Sequence, residues 1–290
     1  MFKKNKHQEQ NCVVGEVCKD VLRNSFVDGS KLMEWQAIKD VYKTTRWDGC
    51  IWPHVAPGYS NKKKWHNSFC QAASFGHIPI LEFMSPHVEY VGAGRTISKK
   101  AMDCAASSGR LLAFEWLRSN RSEDCTTGAM NGAAANGHLY MVEWLHANCS
   151  VGCTTEAMNG AATEGHPCVV KWLHANRFEG CTTKAMEFAA KNGQLCMVEW
   201  LHANRTEGCT TNAMDWAAGN GNLPVVEWLH ANRNEGCTTR AMGWAAENGH
   251  LSMLEWLHAN RNEGCTTGAI DDAAKGGHFS VVEWLHANRT

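Results

Sequence analysis

The sequence predicts an all-α fold, a solenoid of stacked helix–turn–helix repeats with a helical cap or module at its N-terminal side. Three observations carry that expectation. The string Cys-Thr-Thr begins at Cys125, Cys153, Cys181, Cys209, Cys237 and Cys265, at a constant step of 28 residues (153 − 125 = 28). Trp116, Trp144, Trp172, Trp200, Trp228, Trp256 and Trp284 form a second ladder with the same step. Between the rungs, apolar residues recur three and four apart, which is the period of a helix and not the alternation of a strand.

Residues 1–13 are polar and basic and read as a flexible tail. Residues 14–60 lack the repeat and read as two or three short helices, carrying Val21, Leu22, Phe26, Leu32, Val41, Trp47 and Trp52 as apolar positions. A stack of repeats needs its end shielded, so a degenerate capping repeat is one expectation for this segment. Lys62, Lys63 and Lys64 follow and are expected to form a solvated connector. The repeat domain is expected to span 65–290. Its first unit shows Ala72-Ala73 and Gly76-His77. In the next, Ile97 stands where later units carry Cys, and Ala105-Ala106 lies 33 residues (105 − 72 = 33) beyond Ala72.

The unit from Thr126 to Asn148 serves for all the regular ones. Thr127 precedes a helix-compatible run and is expected to cap it with its hydroxyl. Met130, Ala133 and Ala134 then share one helical face. Gly137 supplies the left-handed conformation that ends a helix. Val142, Trp144 and Leu145 give the second run its apolar side, and Pro167 and Pro224 occur near the start of this run in their units, where a missing N–H costs nothing. Asn148, like Asn120, Asn176, Asn204, Asn232, Asn260 and Asn288, is expected as a left-handed cap at the end of the second helix. Both helices are shorter than the ~12–15 residues that marginal stability in water requires. They need stacking, with paired alanines allowing close approach and Met, Ala, Val, Leu and Trp expected in one core.

The string Ala-Ala-x-Asn-Gly-His-Leu followed by Val-Glu-Trp-Leu resembles the ankyrin repeat over about Trp65 to Thr290. The resemblance implies a non-catalytic module that binds a partner protein. The units depart from the family in length: ankyrin units usually run to 33 residues, opening with Thr-Pro-Leu-His, whereas these run to 28 and open with Cys-Thr-Thr. Five residues are missing where ankyrins usually carry a β-hairpin finger, which moves the expected interface to the first helices. The apolar spacing of residues 14–57 loosely resembles an F-box, without the usual Leu-Pro start. That resemblance implies a ubiquitin-ligase adaptor as partner and a substrate-recognition role for the repeats.

Composition sets the outer limits. The chain has 290 residues, 28 Lys plus Arg against 29 Asp plus Glu, and a formal net charge of −1, which argues against a protein whose task is to coat nucleic acid or an anionic membrane. No apolar run of membrane-spanning length occurs. The basic start lacks the apolar stretch of a secretory signal, so a cytoplasmic or nuclear protein with reduced cysteines is expected.

The 14 Cys and 15 His raise the question of metal. A residue that recurs once per unit lies roughly 10 Å from its copy, the packing distance of helices, whereas zinc needs ligands at about 2.0–2.3 Å. The ladder Cys therefore reads as a small buried hydrophobe, and no metal or cofactor is expected. One group off the ladder, His146, Cys149 and Cys153, has the spacing of a partial site with only three ligands. The His ladder (His146, His174, His202, His230, His258, His286) is expected to offset the negative end of each second helix and to pair with the Glu three residues before it, where there is one. No nucleotide-binding, nucleophile-elbow or zinc-protease motif occurs, so no enzyme is expected.

Readout is expected where the units differ. After Thr-Thr the residues run Gly128, Glu156, Lys184, Asn212, Arg240 and Gly268; before the Ala pair they run Gly132, Gly160, Phe188, Trp216, Trp244 and Asp272. The expected partner-binding residues are Glu156, Lys184, Phe188, Asn212, Trp216, Arg240, Trp244 and Asp272. Two placements are open for the aromatic column: an accessible strip that anchors a partner, or rings leaning into the gaps between units.

Overall fold

In the computed structural model, residues 62–90, 94–121 and 124–288 are described, and every regular element among them is a helix. The segment read as a cap or F-box-like module, 14–60, lies outside the described residues. The helices alternate as first and second members of each unit: α1 (Lys62–Phe75) with α2 (Ile78–Tyr90), α3 (Gly94–Ser107) with α4 (Leu111–Asn120), α5 (Thr127–Ala135) with α6 (Leu139–Asn148), and α7 (Thr155–Thr163) with α8 (Pro167–Asn176). Then come α9 (Thr183–Lys191) with α10 (Leu195–Asn204), α11 (Thr211–Gly219) with α12 (Leu223–Asn232), α13 (Thr239–Glu247) with α14 (Leu251–Asn260), and α15 (Ala269–Lys275) with α16 (Phe279–Asn288). From Phe69 onward the chain packs as one unit. Lys62–Lys64 are not a connector. They open α1, as expected of residues with high helix propensity.

The caps explain the helix limits. The first Thr of each pair is the cap, one residue earlier than its sequence suggested. Thr126 is extended, and its hydroxyl accepts from the Gly128 N–H at 3.0 Å, while Thr127 is already helical. Thr154, Thr182, Thr210 and Thr238 repeat this. Gly137 closes the first helix with φ +75°, and a side chain there would also strike the His166 ring of the next unit. Asn148 does not become left-handed. The chain leaves α6 extended at Cys149, and Asn148 caps with its side chain, Nδ2 donating to the Trp144 carbonyl at 2.9 Å. An extended exit suits a chain that must travel back to the next first helix.

First helices pack closely on first helices because the paired alanines present almost no side chain. Ala133, Ala134, Ala161, Ala162, Ala189, Ala190, Ala217, Ala218, Ala245 and Ala246 are all fully buried, with Met130, Met158, Met186 and Met214 beside them. The second helices contribute Val142, Leu145, Val170, Leu173, Val198, Leu201, Val226, Leu229, Leu254 and Leu257. The tryptophan ladder is not part of this core. Trp144 through Trp284 are half-buried, and each ring from Trp172 onward takes the edge of the preceding unit's ladder His at 5.2–5.3 Å. That ring also corrects the expected Glu–His pairing, since the imidazole faces the next unit instead of its own helix.

Among the described residues, the longer first step shows helix and no strand. Its helices are longer, with α2 at 13 residues and α3 at 14 where later units have 10 and 9.

Two polar ladders join unit to unit. In the first, the residue after the core Met reaches the next cap. Asn131 Oδ1 accepts from the Thr154 N–H at 2.9 Å and Asn159 Oδ1 from Thr182 at 2.9 Å. The buried Glu187 carboxylate accepts from both the N–H and the hydroxyl of Thr210, at 3.2 and 2.7 Å. In the second, an Arg at the start of each interunit loop from 177 onward pairs with the Glu two residues on (Arg177–Glu179, Arg205–Glu207, Arg233–Glu235, Arg261–Glu263). The same guanidinium donates to Nδ1 of the previous unit's His: His146 at 3.3 Å, His174 at 3.4 Å, His202 at 3.3 Å and His230 at 3.4 Å. It also covers the previous unit's Cys, so the column of ladder thiols lies under a column of ion pairs.

Candidate functional site

The two variable columns fall four residues apart on each first helix, so they share a face. Lys184 and Phe188 lie on α9, Asn212 and Trp216 on α11, Arg240 and Trp244 on α13. The rings of Phe188 and Trp216 stack with centroids 5.2 Å apart and planes at 29°. Trp244 follows on the next helix, its Cβ close over Gly219, a residue whose lack of a side chain admits the ring. All three aromatics are half-buried. The two placements left open by the sequence therefore meet: each ring fills the seam between two first helices and still shows a face outside.

Cations sit over those faces. Lys191 Nζ lies 6.0 Å from the centroids of both Phe188 and Trp216, and the Arg240 guanidinium lies 5.8 Å from Trp244, within cation–π range. Between Trp216 and Trp244 is a shallow cavity of about 180 Å³ lined also by Lys191, Gly219, Asn220 and Asn248. The asparagines are fixed, since Asn220 donates to the Lys191 carbonyl at 2.8 Å and Asn248 to the Gly219 carbonyl at 2.9 Å.

The remaining expected residues flank this centre. Exposed Glu156 and Lys184 approach to 3.9 Å. Asn212 is half-buried beside the cap of α11. Asp272 is paired with Lys275 at 3.0 Å, one unit beyond Trp244. Lys191, Asn220 and Asn248 were missed by the column reading. Lys191 had a signal three residues after the aromatic column, where the sequence runs Thr163, Lys191, Gly219 and Glu247 in a third variable column; Asn220 and Asn248 sit in the next, nearly constant Asn column and carry none.

Elsewhere the chemistry is muted. The ladder thiols Cys181, Cys209 and Cys237 are pushed up to about 11, by burial first and then by the neighbouring Glu carboxylates. His146, Cys149 and Cys153 do not converge, because His146 and Cys153 are both taken up by Arg177. Cys149 instead meets Cys125 and Asp124, and this is the one group of three metal-ligating side chains among the described residues. No described helix is long and apolar enough to cross a membrane.

A family model described as ankyrin repeats in many copies matches residues 214–258 and 244–286, the stretch holding Trp216, Trp244 and the last regular units. Residues 214–286 thus match the ankyrin repeat. No curated protein matches the chain. The match agrees with the helical pairs and turn glycines, which recur through the upstream regular units. Ankyrin repeats are in general protein-interaction modules, so the half-buried aromatic row on these first helices is a surface to weigh for that role.

Proposed function

We propose that this protein is a non-catalytic binding scaffold whose ankyrin repeats hold an acidic segment of a partner protein along the first helices of α9, α11 and α13. The observation that carries the reading is the row Phe188–Trp216–Trp244, half-open and overlaid by Lys191 and Arg240. Large aromatics in a shallow recess bind an apolar side chain with little loss of their own freedom. Cations around them select carboxylates on either side of that side chain. Lys184 and Asn212 extend the contact along the same face, with Glu156 and Asp272 marking its two acidic ends.

The test is selection of peptides from a displayed random library on the whole chain. Enriched peptides carry an aromatic or aliphatic residue flanked by Asp or Glu, and Trp216→Ala with Trp244→Ala weakens them by roughly thirtyfold or more, the equivalent of about 2 kcal/mol for interface anchors. Circular dichroism of the double variant should keep its helical signal. Enriched peptides that bind the folded double variant as well as the parent would remove the strip as an interface.

A further inference from the structure

One interunit loop breaks the second ladder. Every loop from 177 onward opens Arg-x-Glu-Gly-Cys, as in Arg177, Glu179, Gly180 and Cys181. In that pattern the Arg of one loop covers the Cys of the loop before, and its Glu partner holds it there. At the junction of α4–α5 with α6–α7 three positions depart together. Asp124 replaces the Gly, Cys149 replaces the Arg, and Val151 replaces the Glu.

The physical result is a change of ligand set. Where an arginine would lie on Cys125, the Cys149 thiol lies instead, and Asp124 adds a carboxylate from the position that elsewhere has no side chain. One Asp124 oxygen and the two sulfurs lie within 4.8 Å of one another. Asp124 is held in place, one oxygen accepting from the Cys125 N–H at 2.9 Å and the other from the Ser150 hydroxyl at 3.4 Å. Cys125 is buried, while Asp124 and Cys149 are half-open to solvent.

We infer that Asp124, Cys125 and Cys149 form a site for a single soft divalent cation of the zinc class, which clips two successive loops together where the arginine clamp is missing. Two thiolates and a carboxylate match the preferences of zinc, whose bonds of about 2.3 Å to sulfur bring two ligand sulfurs to about 3.8 Å. The side chains therefore need to close by about an ångström at most. The solvent-facing side leaves the fourth tetrahedral position to water. Binding replaces two S–H protons, released to solvent, with two metal–sulfur bonds. The complex then carries a formal charge of −1, from a divalent cation and three anionic ligands. Arg118, whose guanidinium donates to the Asn148 carbonyl at 2.6 Å beside Cys149, offsets that charge.

The repeat itself supplies the controls. Cys149→Arg and Asp124→Gly each restore the residue that the regular loops carry, so both variants are expected to fold; Cys149→Ser keeps the size of the native side chain and serves if either does not. The experiment titrates the reduced full-length chain with Co²⁺ alone, then displaces it with Zn²⁺. The expected result is one equivalent of cobalt with thiolate-to-metal absorption, displaced by zinc, and a zinc-dependent rise in melting temperature. In Cys149→Arg and Cys149→Ser the absorption and the thermal shift are lost, and in Asp124→Gly binding is at least tenfold weaker. Absence of a thiolate-to-cobalt band in the parent overturns the site. So does an undiminished band in the Cys149 variants, which would assign the metal to other cysteines of the chain.

Discussion

The carboxylate of Asp215, buried in the middle of α11, accepts two hydrogen bonds from Thr238, one from its N–H and one from its hydroxyl, each at 2.7 Å. Thr238 in turn caps α13 by accepting from the Arg240 N–H at 3.2 Å. One side chain thus fixes where the next unit begins, and the cap that starts a helix is itself oriented by the helix before it. This makes stacking and helix initiation a single event. Asp103, Asn131, Asn159 and Glu187 occupy the same position in earlier units and hold Thr126, Thr154, Thr182 and Thr210; the carboxylates accept from both Thr groups, whereas the asparagines accept from the N–H and donate to the hydroxyl.

Asp215→Ala leaves a backbone donor and a hydroxyl at a largely buried junction without their acceptor, and we expect a loss of about 2 kcal/mol. Asp215→Asn should cost less than about 1 kcal/mol, because Asn131 and Asn159 show that an amide satisfies both Thr groups. Urea denaturation of the two variants checks the contrast. Equal losses would mean that packing volume, and not the hydrogen bonds, sets the value of this position.

The last junction lacks the device altogether. Gly243 stands where Asp215 stands one unit earlier, and α15 begins only at Ala269, two residues later than its counterparts, without a side-chain cap. A Cβ at Gly243 would meet nothing within 4 Å. Gly243→Asp should therefore stabilise the chain by about 1–2 kcal/mol, combining the removal of a helical glycine with a restored cap. Amide hydrogen exchange should slow at 267–270 in this variant. Unchanged exchange there would show that Thr266 is held off by something other than the missing acceptor.

Much of this was legible in the sequence, and the misses share a cause. The period follows from comparing copies, and the helix pairs and turn glycines from one unit read alone, because they are local. The contacts between units are not local. Trp144 and its copies seemed to belong to the core because they adjoin Leu145, but which side of a helix faces a neighbour depends on the stacking, and the stacking puts their rings against the ladder His. The 103–131–159–187–215 column escapes a local pattern of apolar period, although every member carries an acceptor oxygen in a first helix, which is a signal of buried pairing. For the candidate site, the aromatic row was found by variation between units. Lys191 was missed because a charged residue after an alanine pair reads as solvated until the rings beneath it are seen.

The interunit ion pairs predict an acid limit. Partial burial acts to raise Glu207, but its Arg205 partner and nearby backbone N–H groups outweigh this and hold it at about 2, below its ordinary 4.5. Glu179 and Glu235 are lowered against the same burial penalty, and Glu263 chiefly by Arg261. A carboxylate with a depressed folded pKa contributes stability that is fully present above its unfolded value and is lost as pH falls through the folded one. Melting temperature should hold above pH about 4.5 and fall steadily toward pH about 2. Arg205→Gln should be less stable than the parent at neutral pH, and the gap should close over that same interval. A gap independent of pH would leave the pair with a packing role only.

Cysteine reactivity should divide the chain along the same structural lines. Cys104, half-buried on α3, is lowered to about 7, first by the hydrogen bond from the Cys70 thiol and then, against burial, by Lys100. Cys181, Cys209 and Cys237 are at about 11 beneath their ion pairs. The thiolate is the nucleophile, so at neutral pH iodoacetamide should modify Cys104 well before any of those three, which should react only on unfolding. Peptide mass spectrometry after brief labelling reads all four at once. The rate at Cys104 should rise through pH about 7, and Cys70→Ala should move that midpoint upward by removing the thiol donor. A midpoint unmoved in Cys70→Ala would locate the cause in Lys100 alone. Modification of folded Cys209 at the rate of Cys104 would mean that the loops open far more often than their paired Arg and Glu side chains imply.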